Sequence, residues 1–97
     1  MTTISNLKFM PYAQAKVFIN EQNAVLRSYK TTVAVINDGY AFCYGLYSNT
    51  TRRHISAFAK QFKLSYDIFK KCYKENLAYN INLKCFVSIK TGEIMEG

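Results

Sequence analysis

A chain of 97 residues, 49% hydrophobic and 20% charged, has room for one domain with one modest core. It is too apolar for a disordered tail and too charged for a membrane span. Four Gly and one Pro exclude a collagen-like or low-complexity chain, and a single histidine, His54, excludes a His-cluster metal site and any two-imidazole mechanism. The formal net charge is +7, from 13 Lys and Arg against six Asp and Glu, which excludes whole-molecule mimicry of DNA by an acidic surface.

The first residues, up to Lys8, lack the apolar stretch of a signal peptide, and no run approaches the roughly 18 apolar residues of a membrane helix. The expectation is one domain over residues 1–97 in a reducing compartment. Residues 16–20 read either as a strand or as the end of a short helix starting near Pro11, because periodicity cannot separate the two over so short a run. Residues 23–29 read as a strand. Residues 31–36 are rich in β-branched side chains, and Asp38-Gly39 then offers a type I′ turn, which needs positive φ at both positions. The partner strand, residues 40–48, places Tyr40, Phe42, Tyr44 and Leu46 on one face and Ala41, Cys43, Gly45 and Tyr47 on the other. The first set could stack bases as an RNA-binding sheet does. The recognition pattern of such sheets is missing, so these rings are expected in the core beneath the helices.

At residue 49 the period changes. Asn49, Thr50 and Thr51 supply capping residues, and Ile55, Phe58, Ala59 and Phe62 form the apolar stripe of an amphipathic helix. Arg53, Ser56 and Lys60 fall opposite that stripe, with Arg52 and His54 flanking it. Ser65 is placed to cap a second helix, with Asp67 in its first turn. Its apolar side is Ile68, Phe69, Cys72 and Tyr73, and Lys70, Lys71 and Lys74 lie outside. Residues 84–90 form a further strand, and Thr91-Gly92 turns into a short terminal hairpin through Ile94. The fold class is therefore α+β: an antiparallel sheet of about four to five strands with two helices packed on one face. Ile36, Phe42, Ile55, Phe58, Phe62, Phe69 and Phe86 are the expected core.

The cysteines Cys43, Cys72 and Cys85 are odd in number, far apart and without a C-x-x-C, so they read as buried thiols. No phosphate-loop, dinucleotide, nucleophile-elbow or metalloprotease motif occurs, and six scattered carboxylates make no metal cluster. A Cys–His54 pair, or His54 with Arg52 or Arg53 as a metal-free ribonuclease, is the nearest approach to catalysis. A lone histidine at a helix edge serves packing and hydrogen bonding far more often. The expectation is no enzyme, no cofactor, no metal and no small-molecule substrate.

Charge is the informative signal. Residues 51–75 hold seven basic residues, Arg52, Arg53, Lys60, Lys63, Lys70, Lys71 and Lys74, against Asp67 and Glu75. With Tyr66 and Tyr73 among them, these seven are the candidate partner-binding face, for phosphates or an acidic protein surface. A helix-turn-helix at residues 50–75 is disfavoured because the glycine-bearing tight turn is absent.

The stretch Ser28-Tyr29-Lys30-Thr31-Thr32-Val33-Ala34, followed by Tyr47-Ser48-Asn49-Thr50-Thr51-Arg52-Arg53-His54-Ile55, resembles small proteins encoded by bacteriophages and prophages. Their pattern is S-Y-x-T-x-V-A, a hairpin, then Y-S-x-T-T-x-x-H-I. The match covers about residues 24–62, with a weaker echo at residues 90–94. Size and context also resemble those of phage anti-CRISPR proteins. The resemblance implies a non-enzymatic inhibitor in the cytoplasm of a bacterial host. It would bind a CRISPR effector complex, through protein or guide RNA, and block its nucleic-acid step. A small phage nucleic-acid-binding accessory or regulatory protein is the alternative. The motif itself reads as scaffold: residues 48–51 turn the chain into the helix, and His54 is placed to hydrogen-bond back to the sheet.

Overall fold

Hairpin turns and strand alternation build most of the molecule. The computed structural model describes residues 2–95. Five strands come first: β1 (Thr2–Asn6), β2 (Ala15–Asn20), β3 (Asn23–Ser28), β4 (Thr31–Asn37) and β5 (Tyr40–Cys43). Two helices follow, α1 (Asn49–Gln61) and α2 (Tyr66–Glu75), and then β6 (Leu77–Asn80), β7 (Cys85–Ser88) and β8 (Ile94–Met95). Each strand pairs antiparallel with its neighbour in sequence, giving one eight-stranded sheet in the order β1 to β8.

The α+β class is as expected, with eight strands in place of four or five. The additional strands are those with the weakest apolar patterns. Strand β1 is an exposed edge strand paired on one side, and β6 spans four residues; β8, two residues long, closes the terminal hairpin expected at Thr91-Gly92. Pairing partners supply what their own sequences lack. Residues 16–20 belong to a strand. The Asp38-Gly39 turn has φ of 54° and 82°, the geometry that lets the strands continue their right-handed twist. The strand after it ends at Cys43 rather than at Ser48.

One sheet face is covered by both helices: α1 packs on β3 and β4, α2 on β5 and β6, and the helices touch each other. A continuous cross-strand row, Ile19, Ala24, Ile36, Ala41, Tyr79 and Phe86, runs beneath them. Val17, Leu26, Ala34 and Cys43 form the next row. Small side chains at Ala24, Ala34 and Ala41 let the helices approach closely. Cys72 on α2 comes near enough for its thiol to reach the Ala41 carbonyl at 3.7 Å. Across the interface, Phe58 is fully buried between Phe62 and Phe69, with ring centroids 4.9 and 5.9 Å away. Of the expected core, Ile36, Ile55, Phe58, Phe69 and Phe86 are buried, while Phe42 and Phe62 are half-buried.

Three expectations need correction. Tyr40 and Phe42 do not lie beneath the helices; Ala41 and Cys43 do, and the rings occupy the opposite, open face. Alternation fixes which residues share a face, and the helices take the face whose side chains leave them room. Ser65 precedes α2, but its side chain makes no cap hydrogen bond, and the turn closes instead through the Ile68 amide donating to the Ser65 carbonyl at 3.2 Å. Tyr73 is also outward-facing, at 45% exposure, rather than on the buried side.

Candidate nucleic-acid interface

Helix α1 begins where Ser48 Oγ accepts from the Thr51 amide at 3.1 Å and the Arg52 amide donates to the Ser48 carbonyl at 3.0 Å. No carboxylate stands in its first turn. Arg52 and Arg53 follow directly, near the positive end of the helix dipole, where a cation is unfavourable and an anion would be stabilised. Ser56 lies on the same side, four and three residues on. Helix α2 brings Tyr66 and, one turn later, Lys70 to the same place. These five residues line a shallow depression of about 330 Å³ without a carboxylate in its wall.

The seven candidate residues therefore divide. Arg52, Arg53 and Lys70 converge, all exposed. Lys60 Nζ lies 4.5 Å from the Phe9 ring centroid, and Lys8 Nζ approaches the same ring at 5.8 Å. The loop between β1 and β2 thus reaches the end of α1, where the Lys8 amide also donates to Gln61 Oε1 at 2.9 Å. Lys63, in the left-handed conformation at φ 61°, sits with Lys84 on a separate depression lined by Phe62, Leu64, Ile68, Tyr79 and Ile81. Lys71 is half-buried with its ammonium 4.6 Å from the Phe86 ring centroid, so it serves the sheet contact. Lys74 is exposed in the last turn of α2, where its charge complements the dipole. Ser56 and the depression itself were not legible from charge. The signal for Tyr66 was its place beside the basic residues.

The remaining candidate chemistry is enclosed. Ser28 Oγ lies 2.7 Å from His54 Nδ1 and 3.4 Å from Thr51 Oγ1, and Ser48 Oγ donates to Thr51 Oγ1 at 3.2 Å. The Tyr29 ring lies against the imidazole, with centroids 5.8 Å apart. Ser28 and His54 are 2% and 1% exposed, so this hydroxyl–imidazole pair has no room for a substrate. Burial lowers the His54 pKa below its ordinary value. The partners of His54 are thus the Ser28 hydroxyl and a tyrosine ring rather than a cysteine. Burial raises the Cys43 thiol pKa, and burial with Cys43 nearby pushes Cys72 up to about 12. Both are protonated at neutral pH and unreactive. Among the described residues no group of three His, Cys, Asp or Glu could hold a metal ion, and no helix is long and apolar enough to cross a membrane.

Residues 4–77 of the chain match a protein family described as a family of unknown function (DUF8033). No curated protein and no solved structure matches the chain.

Proposed function

The chain belongs to that family of unknown function, DUF8033, and we propose that this member is a non-enzymatic binding protein whose helical layer docks on nucleic-acid phosphates. One observation carries the reading: Arg52, Arg53 and Lys70, from two helices, surround one depression that has no acidic residue in its wall. Guanidinium groups suit bidentate contact with phosphate oxygens, and Ser56 and Tyr66 add hydroxyl donors. Placing two arginines near the positive end of a helix costs local stability, which a bound anion offsets.

The narrower form of the proposal follows the resemblance to phage proteins. In it the partner is a CRISPR effector complex in the cytoplasm of a bacterial host, the contact is guide RNA or its bound protein, and inhibition is stoichiometric. Affinity purification of the tagged protein from a defence-competent host, followed by mass spectrometry, tests it. A stoichiometric effector complex supports the inhibitor. Bulk nucleic acid alone supports an accessory nucleic-acid-binding protein. Loss of capture in an R52Q/R53Q/K70Q variant supports the helical face, and undiminished capture overturns it.

A further inference from the structure

The helices leave the other face of the sheet without a partner, and its side chains fall into three parallel rows. The middle row is apolar: Ile4, Phe18, Val25, Val35 and Phe42 stand in register across β1 to β5. Ile4 is 60% exposed and the other four are half-buried. On one side Lys16 and Arg27 pair across β2 and β3, and the Arg27 guanidinium lies 5.4 Å from the Phe18 ring centroid. On the other side Asn20, Asn23 and Asn37 rim a depression of about 380 Å³ whose floor includes Phe18, Val25 and Val35. The Tyr40 ring stands 6.5 Å from that of Phe42 at the far end of the face.

We propose that this open face binds single-stranded nucleic acid, with unpaired bases on the Phe18–Phe42 row, their polar edges toward the asparagines, and phosphates toward Lys16 and Arg27. The order of the rows is the order of groups within a nucleotide: anion, flat ring, then hydrogen-bonding edge. Same-face positions two residues apart on a strand are about 6.6 Å apart, which spans a nucleotide from phosphate to base. An arginine already stacked on a phenylalanine is a platform that accepts any base. The amides of Asn20 and Asn37 offer both donors and acceptors to a base edge, and Asn23, whose Oδ1 accepts from the Asp38 amide at 2.9 Å, offers its donors. No open-face strand residue of β1 to β5 carries a carboxylate; the neighbouring Glu21 and Asp38 stand in the turns beyond the asparagines, so the Lys16 and Arg27 side is the one that attracts a polyanion. A second copy of this chain would bring the same cations, and a net charge of +7, against each other.

The proposal does not rest on the helix-face reading, and the test separates the two. A labelled decauridylate is titrated into the isotope-labelled full chain, following both affinity and backbone amide shifts. The expected result is a set of shifts at residues 16–18, 25–27, 35 and 42 that persists in the R52Q/R53Q/K70Q variant. F18L and F42L keep apolar bulk but remove the ring, and each should weaken binding about fivefold or more, the lower end of what a stacked base contributes. K16Q/R27Q, at exposed positions that leave the fold intact, should weaken it further and flatten its salt dependence. Shifts confined to α1 and α2, leucine variants that bind like the parent, or no binding at all would each overturn the proposal. So would shifts at the same residues produced by raising protein concentration alone, which would mark self-association.

Discussion

Ser28 and His54, 26 residues apart in sequence, are joined by a 2.7 Å contact between a hydroxyl on β3 and Nδ1 of an imidazole on α1. The two halves of the S-Y and T-T-x-x-H pattern therefore meet in space, with Thr51 Oγ1 completing the group at 3.4 Å from Ser28 Oγ. No buried side-chain polar atom among the described residues lacks a partner. This cluster ties helix to sheet through polar contacts inside an apolar layer, where each contact depends on the others.

Removing Ser28 should leave the imidazole buried without its partner, and removing His54 should leave Ser28 only its longer contact to Thr51. Ser28→Ala is expected to cost about 1–3 kcal/mol, the range for an orphaned buried polar group. His54→Ala should cost at least as much, because a cavity is added. In urea titrations the double variant should be less destabilised than the sum of the singles. Strict additivity would show that the contact is energetically idle.

The same imidazole makes stability depend on pH. Burial lowers the pKa of His54 in the folded chain, whereas the unfolded chain protonates near the ordinary value of 6.5. Below that value the unfolded state binds more protons, so the stabilisation present at higher pH is lost as pH falls through the folded pKa. The urea midpoint should therefore drop between about pH 7.5 and about pH 5.5. A His54→Gln variant, destabilised throughout, should show a flatter profile over that interval. An equal slope in both proteins would remove His54 as its source.

The aromatic group beneath the helices gives an ordered pair of variants. Phe58→Ala empties a fully buried site between two rings and should cost about 3–5 kcal/mol. Phe62→Ala, at the half-buried end of the same group, should cost less. Thermal melts that rank them the other way would place the helix in the wrong rotation.

Electrostatic binding to nucleic acid has a counting test. Replacing Arg52, Arg53 and Lys70 by Gln removes three contacts, and each released counterion contributes about 0.9 to the salt slope on duplex. The slope of log affinity against log salt should therefore fall by about two to three. The fold should persist, since exposed substitutions change stability by about 0.5 kcal/mol or less each. An unchanged slope would assign the phosphates to other cations.

The parts of this structure legible in the sequence are those with local causes. Asp38-Gly39 dictates its hairpin, Ile55, Phe58 and Ala59 dictate the buried side of α1, and the polar run at residues 48–51 starts that helix, with the cap at Ser48 rather than among residues 49–51. Strands β1 and β6 were not legible because their own apolar patterns are weak and pairing with an adjacent strand holds them. The sequence showed that Tyr40 and Phe42 share a side, but not which side. The signal was present in the alanines at 24, 34 and 41, whose smallness marks the helix-bearing face only once the strands are in register. For the candidate site, charge marked seven residues, while the convergence of Arg52, Arg53 and Lys70 depends on how α1 crosses α2.

The sequential strand order also bears on how the chain assembles. Strand partners from β1 to β5 are chain neighbours, and so are those from β6 to β8, so each portion can form by short-range closure. A single junction, between β5 and β6, joins strands separated by residues 44–76. Closing a loop grows more costly only slowly with its length, but contacts between its ends bring no gain until it has closed. The two helices fill that loop and cover the junction it creates. They are therefore the clasp between two ribbons of locally paired strands, and closing it is the long-range step of assembly.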